Sequence, residues 1–163
     1  MYHILAECAH PTTHRIWTLA KGTWPHDENT WPEINFGTII GCGALTIRTE
    51  ARWTTHQTRL PPESPPPKAG ATRLIRIIIL DATHLIWTLR CERTIHETEH
   101  MERTVDAVWQ KTMNRRSSNY KIAAMKVLRR DDYTKLIKNT WEKALRKQHG
   151  SIPDDWLLRG KGF

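Results

Sequence analysis

Cysteine is scarce in this chain of 163 residues and badly placed for cross-linking. Cys8, Cys42 and Cys91 are odd in number, far apart, and outside any CxxC pair. They argue against a disulfide framework and point to a reducing compartment, the nucleus or cytoplasm. Phenylalanine is scarcer still, two residues against eight tryptophans, so indoles carry most of the aromatic bulk. An indole buries a large surface but wants an acceptor for its N–H. No secretory leader is visible, because the first twenty residues contain His3, Glu7, His10, His14 and Arg15 and no apolar core. The phosphate-cradling patterns GxxxxGK[ST] and GxGxxG are missing, as are GxSxG and any helix-turn-helix, RRM or KH signature. Hydrophobic residues make up 39% of the chain and the mean hydropathy is -0.59, which suits one domain with a good share of loop.

Acidic residues run short only in the last third. Residues 1–110 hold 11 Lys/Arg and 12 Asp/Glu, whereas residues 111–163 hold 14 and 5, so the net charge of +8 belongs entirely to the C-terminal part. A local anionic partner such as RNA or DNA is one reading, and a solvated basic helix face is the plain alternative.

What the chain does have is an apolar stretch at residues 72–95. Thirteen of its 24 residues are Ala, Leu, Ile, Trp or Cys, with neither Gly nor Pro among them. The spacing predicts a central core helix, with Arg73, Arg76, Asp81, His84, Thr88 and Glu92 on a narrow polar stripe and Trp87 among the most buried tryptophans. Arg73, Arg76, Asp81 and His84 exclude a membrane span.

Around it the pattern predicts an all-α single domain, residues 1–163, of about five or six helices. A helix over Pro11–Trp24 would be capped by Thr12 or Thr13, and a short one over Pro32–Ile40 would anchor through Ile34, Phe36, Ile39 and Ile40. Residues 48–71 read as a flexible Pro-rich insertion containing Pro61, Pro62, Pro65, Pro66 and Pro67. Thr98–Met113 repeats helical spacing, residues 114–119 (NRRSSN) read as a turn, and a last helix follows Asp131 or Asp132 and stops at Gly150. The tail would lay Ile152 and Trp156 on the core.

Three groups of residues could carry chemistry. Arg115, Arg116, Lys121, Lys126, Arg129, Arg130, Lys135 and Lys138 lie within a few tens of residues and could contact phosphates without reading sequence. His96-Glu97-Thr98-Glu99-His100 is an HExxH pattern, which on a helix puts two zinc ligands and a general base on one face. Its surroundings are polar on nearly every side and nine histidines make chance matches easy, so a zinc-dependent hydrolase is the minor alternative. His3 and Cys8 form H-x4-C, half of a zinc knuckle whose other half would be an upstream CxxC. Two ligands hold zinc poorly, so the expectation is an empty half-site and no cofactor unless such a pair precedes it.

The segments HILAEC, IWTLAKGTWP, NFGTIIGCGAL, RLIRIIILDATHLIWTLRCERTI, VWQKTMNRR, NTWEKAL and IPDDW follow one another in this order. That succession resembles the C-terminal region of fungal retrotransposon-like proteins, downstream of their reverse transcriptase and RNase H domains, most specifically at HLIWTLRCER. The resemblance implies a non-catalytic C-terminal accessory module, or a degenerate fragment, of a retroelement polyprotein, a knuckle ending in His3 and Cys8, and a start cut from something longer. IIILDATH departs from the family's ILISESAH, and HETEH falls where the family varies. A helical structural fragment without any ligand remains the competing reading.

Overall fold

In the computed structural model, residues 5–6, 8–48, 68–126 and 131–157 are described, and every structural statement below concerns these. Five α-helices make up the fold, and no strand occurs among the described residues. They are α1 (Pro11–Thr23), α2 (Phe36–Ile40), α3 (Ala69–His96), α4 (Glu102–Lys126) and α5 (Asp131–His149), with single 3-10 turns at Glu28–Thr30 and Cys42–Ala44. The all-α expectation holds.

α3 is the centre and touches each of the other four helices. Its 28 residues reach about 42 Å at 1.5 Å per residue. It starts three residues earlier than the apolar run suggested, so Ala69, Gly70 and Ala71 are helical rather than part of a loop. The rest of the Pro-rich stretch, residues 49–67, lies outside the described residues. Leu74, Ile75, Ile78, Ile79 and Ala82 are completely buried, as their helical spacing demands. Glu97, at φ 51, ends the helix in the left-handed region.

Polar side chains on α3 fasten the segment before it. The Ile47 N–H donates to Thr72 Oγ1 at 2.9 Å, and the Lys68 N–H donates to the Ile47 carbonyl at 2.8 Å. Arg76 donates through Nε and Nη2 to the Leu45 carbonyl at 3.0 and 2.7 Å. Arg76 is therefore a strut and not part of a solvent stripe.

α1 packs on α3, α4 and α5 through Ile16 and Ala20. Its cap is His10, whose Nδ1 accepts from the Thr12 N–H at 3.3 Å, and Pro11 follows as the first helical residue. The expected threonine cap is displaced because Thr13 is inside the helix and buried. Arg15 grips Asp106 of α4 at both carboxylate oxygens, 2.7 and 2.5 Å, and holds that carboxyl below its ordinary range. α2 is shorter than expected, starting at Phe36 behind an Asn35 cap, and of the four anchors proposed for it only Ile39 is buried.

α4 runs straight through the predicted turn at residues 114–119. The residues that signalled a break are satisfied within and beside the helix. Ser117 Oγ donates to the Asn114 carbonyl at 3.0 Å, and Asn114 Oδ1 accepts from Gln110 at 3.1 Å and from Gln148 of α5 at 3.3 Å. Burial of Met113 just before the segment and of Ser117 within it outweighs the weak local propensity. Met101, expected on this helix's apolar stripe, is instead exposed ahead of its first turn.

α5 buries Ile137, Thr140, Trp141, Ala144 and Leu145, close to the predicted stripe. Gly150, at φ 75, closes it with a hydrogen bond to the Arg146 carbonyl at 2.8 Å. Ile152, Trp156 and Leu157 then fold back into the core, as expected of the tail. The indoles are treated unevenly. Trp17, Trp24 and Trp109 donate to the Leu5 carbonyl (2.9 Å), Thr30 Oγ1 (3.0 Å) and Thr23 Oγ1 (3.0 Å), whereas the buried N–H groups of Trp141 and Trp156 find no acceptor among the described residues.

Trp87 does not belong to the core: 42% of its surface is exposed, as is 54% of Leu80's. The outward face of α3 carries Leu80, His84 and Trp87, one helical turn after another, and Asp81 points inward instead. The reason is a pairing that spans 35 residues. Arg116 of α4 grips Asp81 through Nε at 2.9 Å and through Nη2, so a carboxylate only 4% exposed keeps its charge balanced. Trp87, six residues on, falls on the outward side of the helix.

Candidate nucleic-acid interface

α3 and α4 are joined by only five residues, 97–101, and fold back on each other so that Asp81 meets Arg116. Between them runs an open groove of about 570 Å³. α3 contributes Leu80, His84, Leu85 and Thr88, and α4 contributes Val108, Lys111, Thr112, Arg115 and Arg116. The hydroxyls of Thr88 and Thr112 are turned to their own helix, each 2.9 Å from the carbonyl four residues back. What remains facing the groove is an apolar floor, one imidazole and three cations, against the single carboxylate of Asp81.

The cations continue along α4. Lys111, Arg115 and Lys126 are exposed, form no ion pair among the described residues, and follow a helical repeat on the outward side. From Lys111 to Lys126 the stripe is about 22 Å long at 1.5 Å per residue. Ile122, half exposed, interrupts it. Arg116 differs from the others: the hydrogen bonds it donates to Asp81 raise its pKa further, so it is a fixed charge with part of its guanidinium at the groove.

The eight basic residues singled out from the sequence are scattered by this geometry. Arg115 and Arg116 share the groove, and Lys126 shares the face of Arg115. Lys121 is 7% exposed, on the side of α4 that meets α5, in a recess it shares with Leu145 and Trp156. Its aliphatic stem suits that position and its burial removes it from a phosphate-contacting surface. Lys135 and Lys138 belong to α5 and do not line the groove, and Arg129 and Arg130 lie outside the described residues. Leu80, His84, Trp87 and Lys111 complete the surface without having been singled out. For Lys111 the signal was available, since it is four residues before Arg115; for Trp87 it was not.

The HExxH pattern forms no ligand set among the described residues. The HExxH residues do not lie on one helix: α3 ends at His96, Glu97 is left-handed, and residues 97–100 are irregular. Without a continuous turn the two histidines lose their common face, and His100 sits 3.0 Å from Glu92 instead. His3 is outside the described residues. Cys8 lines a small cavity with His10, Arg90, Glu99 and His100, yet no three His, Cys, Asp or Glu side chains among the described residues are grouped so as to hold a metal ion. No helix among the described residues is long and apolar enough to cross a membrane.

Comparison with protein-family models, with curated proteins and with solved structures finds no match to this chain.

Proposed function

We propose that this chain is a non-catalytic accessory module of a retroelement protein that binds RNA or DNA through the outward face of α4 and the groove beside it. The observation that carries the reading is the stripe Lys111, Arg115 and Lys126, which has no acidic counterpart on its own face and flanks a groove to which Arg116 adds a fourth cation. Surface lysines and arginines usually alternate with carboxylates, and a run without them favours a polyanion. Contacts of this kind neutralise phosphates and carry little sequence information. The resemblance to retrotransposon-like proteins supports the same class of partner, because the domains upstream in that group act on nucleic acid.

The test is a filter-binding titration of the full chain against RNA and DNA oligonucleotides at several salt concentrations. With three mobile cations engaged, the slope of log K against log salt would be about -2 for a single strand, so affinity falls roughly twentyfold between 50 and 200 mM salt. Lys111→Gln and Arg115→Gln together would lower the slope and weaken binding while leaving the helical circular dichroism intact. No binding at low salt, or binding indifferent to salt, refutes the reading and leaves a helical structural fragment.

A further inference from the structure

We infer that the strand this surface takes is single-stranded, with its bases laid on the outward face of α3 at Trp87 and His84 while its phosphates follow Lys111 and Arg115 on α4. The inference rests on the nucleic-acid reading above and adds the class of substrate.

The first argument is the pairing of chemistries across one groove. Leu80, His84 and Trp87 stand on successive turns of α3, exposed, and His84 and Leu80 line the same groove as Lys111, Arg115 and Arg116. Trp87 lies one turn beyond His84 on the same exposed face of α3, outside the groove's own lining. A large indole costs free energy when left in water, and Trp87 is 42% exposed. The arginine that holds Asp81 presents part of its charge to the groove, and the exposed face of α3 beside it carries Leu80, His84 and Trp87. A basic track beside a ring is what an unpaired strand needs, since every base has a face that can stack and every linkage has a charge.

The second argument is shape. A duplex hides its base faces and offers phosphates alone, so Leu80, His84 and Trp87 would contribute nothing to holding it. Reading bases through the major groove needs one protruding helix in a channel about 12 Å wide. Here α3 flanks α4 along the groove on the binding side, so α4 does not stand out alone to enter such a channel.

Charge decides against an apolar helix as occupant. The groove's floor is apolar at Leu80, Leu85 and Val108, but its lining holds three cations and one carboxylate already engaged with one of them. A partner must therefore be anionic and flat-faced together.

The experiment compares a 16-nucleotide single strand, mixed in sequence, with the matching duplex at 50 mM salt by fluorescence anisotropy, using the full chain, Trp87→Ala and Trp87→Phe. Vesicles containing phosphatidylserine are added as a competing polyanion. The expected result is single-strand binding at least tenfold tighter than duplex binding, a loss of about tenfold or more in Trp87→Ala, and near-complete retention in Trp87→Phe, because stacking needs a ring. Trp87→Ala should leave the salt slope unchanged, whereas Lys111→Gln should reduce it. Equal or tighter duplex binding, or a Trp87→Ala affinity equal to wild type, overturns this inference and leaves the nucleic-acid reading standing. Absence of any nucleic-acid binding overturns both. Displacement of the oligonucleotide by vesicles at lower concentration than by unlabelled strand overturns both in favour of a membrane surface.

Discussion

Gly70 sits where α3 and α5 come closest, and replacing it with alanine should separate them. A Cβ added there would lie 2.5 Å from the Asn139 carbonyl oxygen, 2.6 Å from its carbon and 2.8 Å from Asn139 Cβ. Two of those three atoms are backbone, so no rotamer change relieves the overlap. Ordinary contact between heavy atoms begins near 3.5 Å, so the helices must move apart by about 1 Å. Such a gap forfeits a quarter to a half of each dispersion contact beside it, and the neighbours at risk are the buried Ala71 and Leu74 on α3 with Ile137, Thr140 and Trp141 on α5. Gly70 is only the second residue of α3, so the gain in helix propensity is small. The expected cost of Gly70→Ala is about 3 kcal/mol, the upper end for overpacking, with Tm lower by about 6–12 °C. Gly22→Ala is the matched control. A Cβ at Gly22 meets nothing within 4 Å, in the last turn of α1, so that substitution should be neutral or stabilise by up to about 1 kcal/mol. Urea unfolding followed by circular dichroism at unchanged m-value reads both. A Gly70→Ala loss below about 0.5 kcal/mol, or equal losses for the two variants, would show that the crossing is not as close as the argument requires.

Tryptophans should separate by burial: Trp141→Ala should cost about 3–5 kcal/mol and Trp87→Ala under about 1 kcal/mol, by the same unfolding measurement. A large Trp87 effect would return that ring to the core. Arg116→Ala strands the buried Asp81 carboxylate and should cost about 2–3 kcal/mol, below the figure for a fully buried pair because 44% of the arginine side chain is exposed. Adding Asp81→Leu to Arg116→Ala should recover about 1 kcal/mol or more, and a double variant weaker than the single would contradict the charge argument. His26 is held below its ordinary pKa of 6.5, first by burial and then by Lys143 and Lys68. The unfolded chain therefore binds that proton more readily than the native one, so stability is full above about pH 6.5 and falls as the pH drops below it. His26→Gln should flatten the stability profile between about pH 7 and 5, and an unchanged slope would place the titration elsewhere.

The parts of the fold that could be read from the sequence are those decided by local pattern. The apolar run of α3, the stripe Ile137, Trp141, Ala144 and Leu145 on α5, the stop at Gly150 and the return of Ile152 and Trp156 all follow from spacing and backbone preference. Misreadings came where a distant partner overrode a local signal. Residues 114–119 look like a turn by composition, but Gln110 and Gln148 satisfy Asn114 and both Met113 and Ser117 are buried, so α4 continues. His96 and His100 have the spacing of zinc ligands only while the helix lasts, and the left-handed Glu97 ends it between them.

Asp81 and Trp87 make the same point for the site. A charge-patterned reading of α3 assigns aspartate to water and tryptophan to the core, since each choice is the cheaper one for the helix considered alone. With α4 present the balance reverses. The guanidinium of Arg116 balances the charge of the buried Asp81, while Leu80, His84 and Trp87 face out. Sequence gives no direct sign of that contact, because the two partners are 35 residues apart on different helices. It follows that the basic residues visible from composition are only half of the surface. Arg115 and Lys126 could be picked out by charge, whereas the exposure of Leu80, His84 and Trp87 on the neighbouring helix could not, because each is apolar or aromatic on a helix whose other faces are buried.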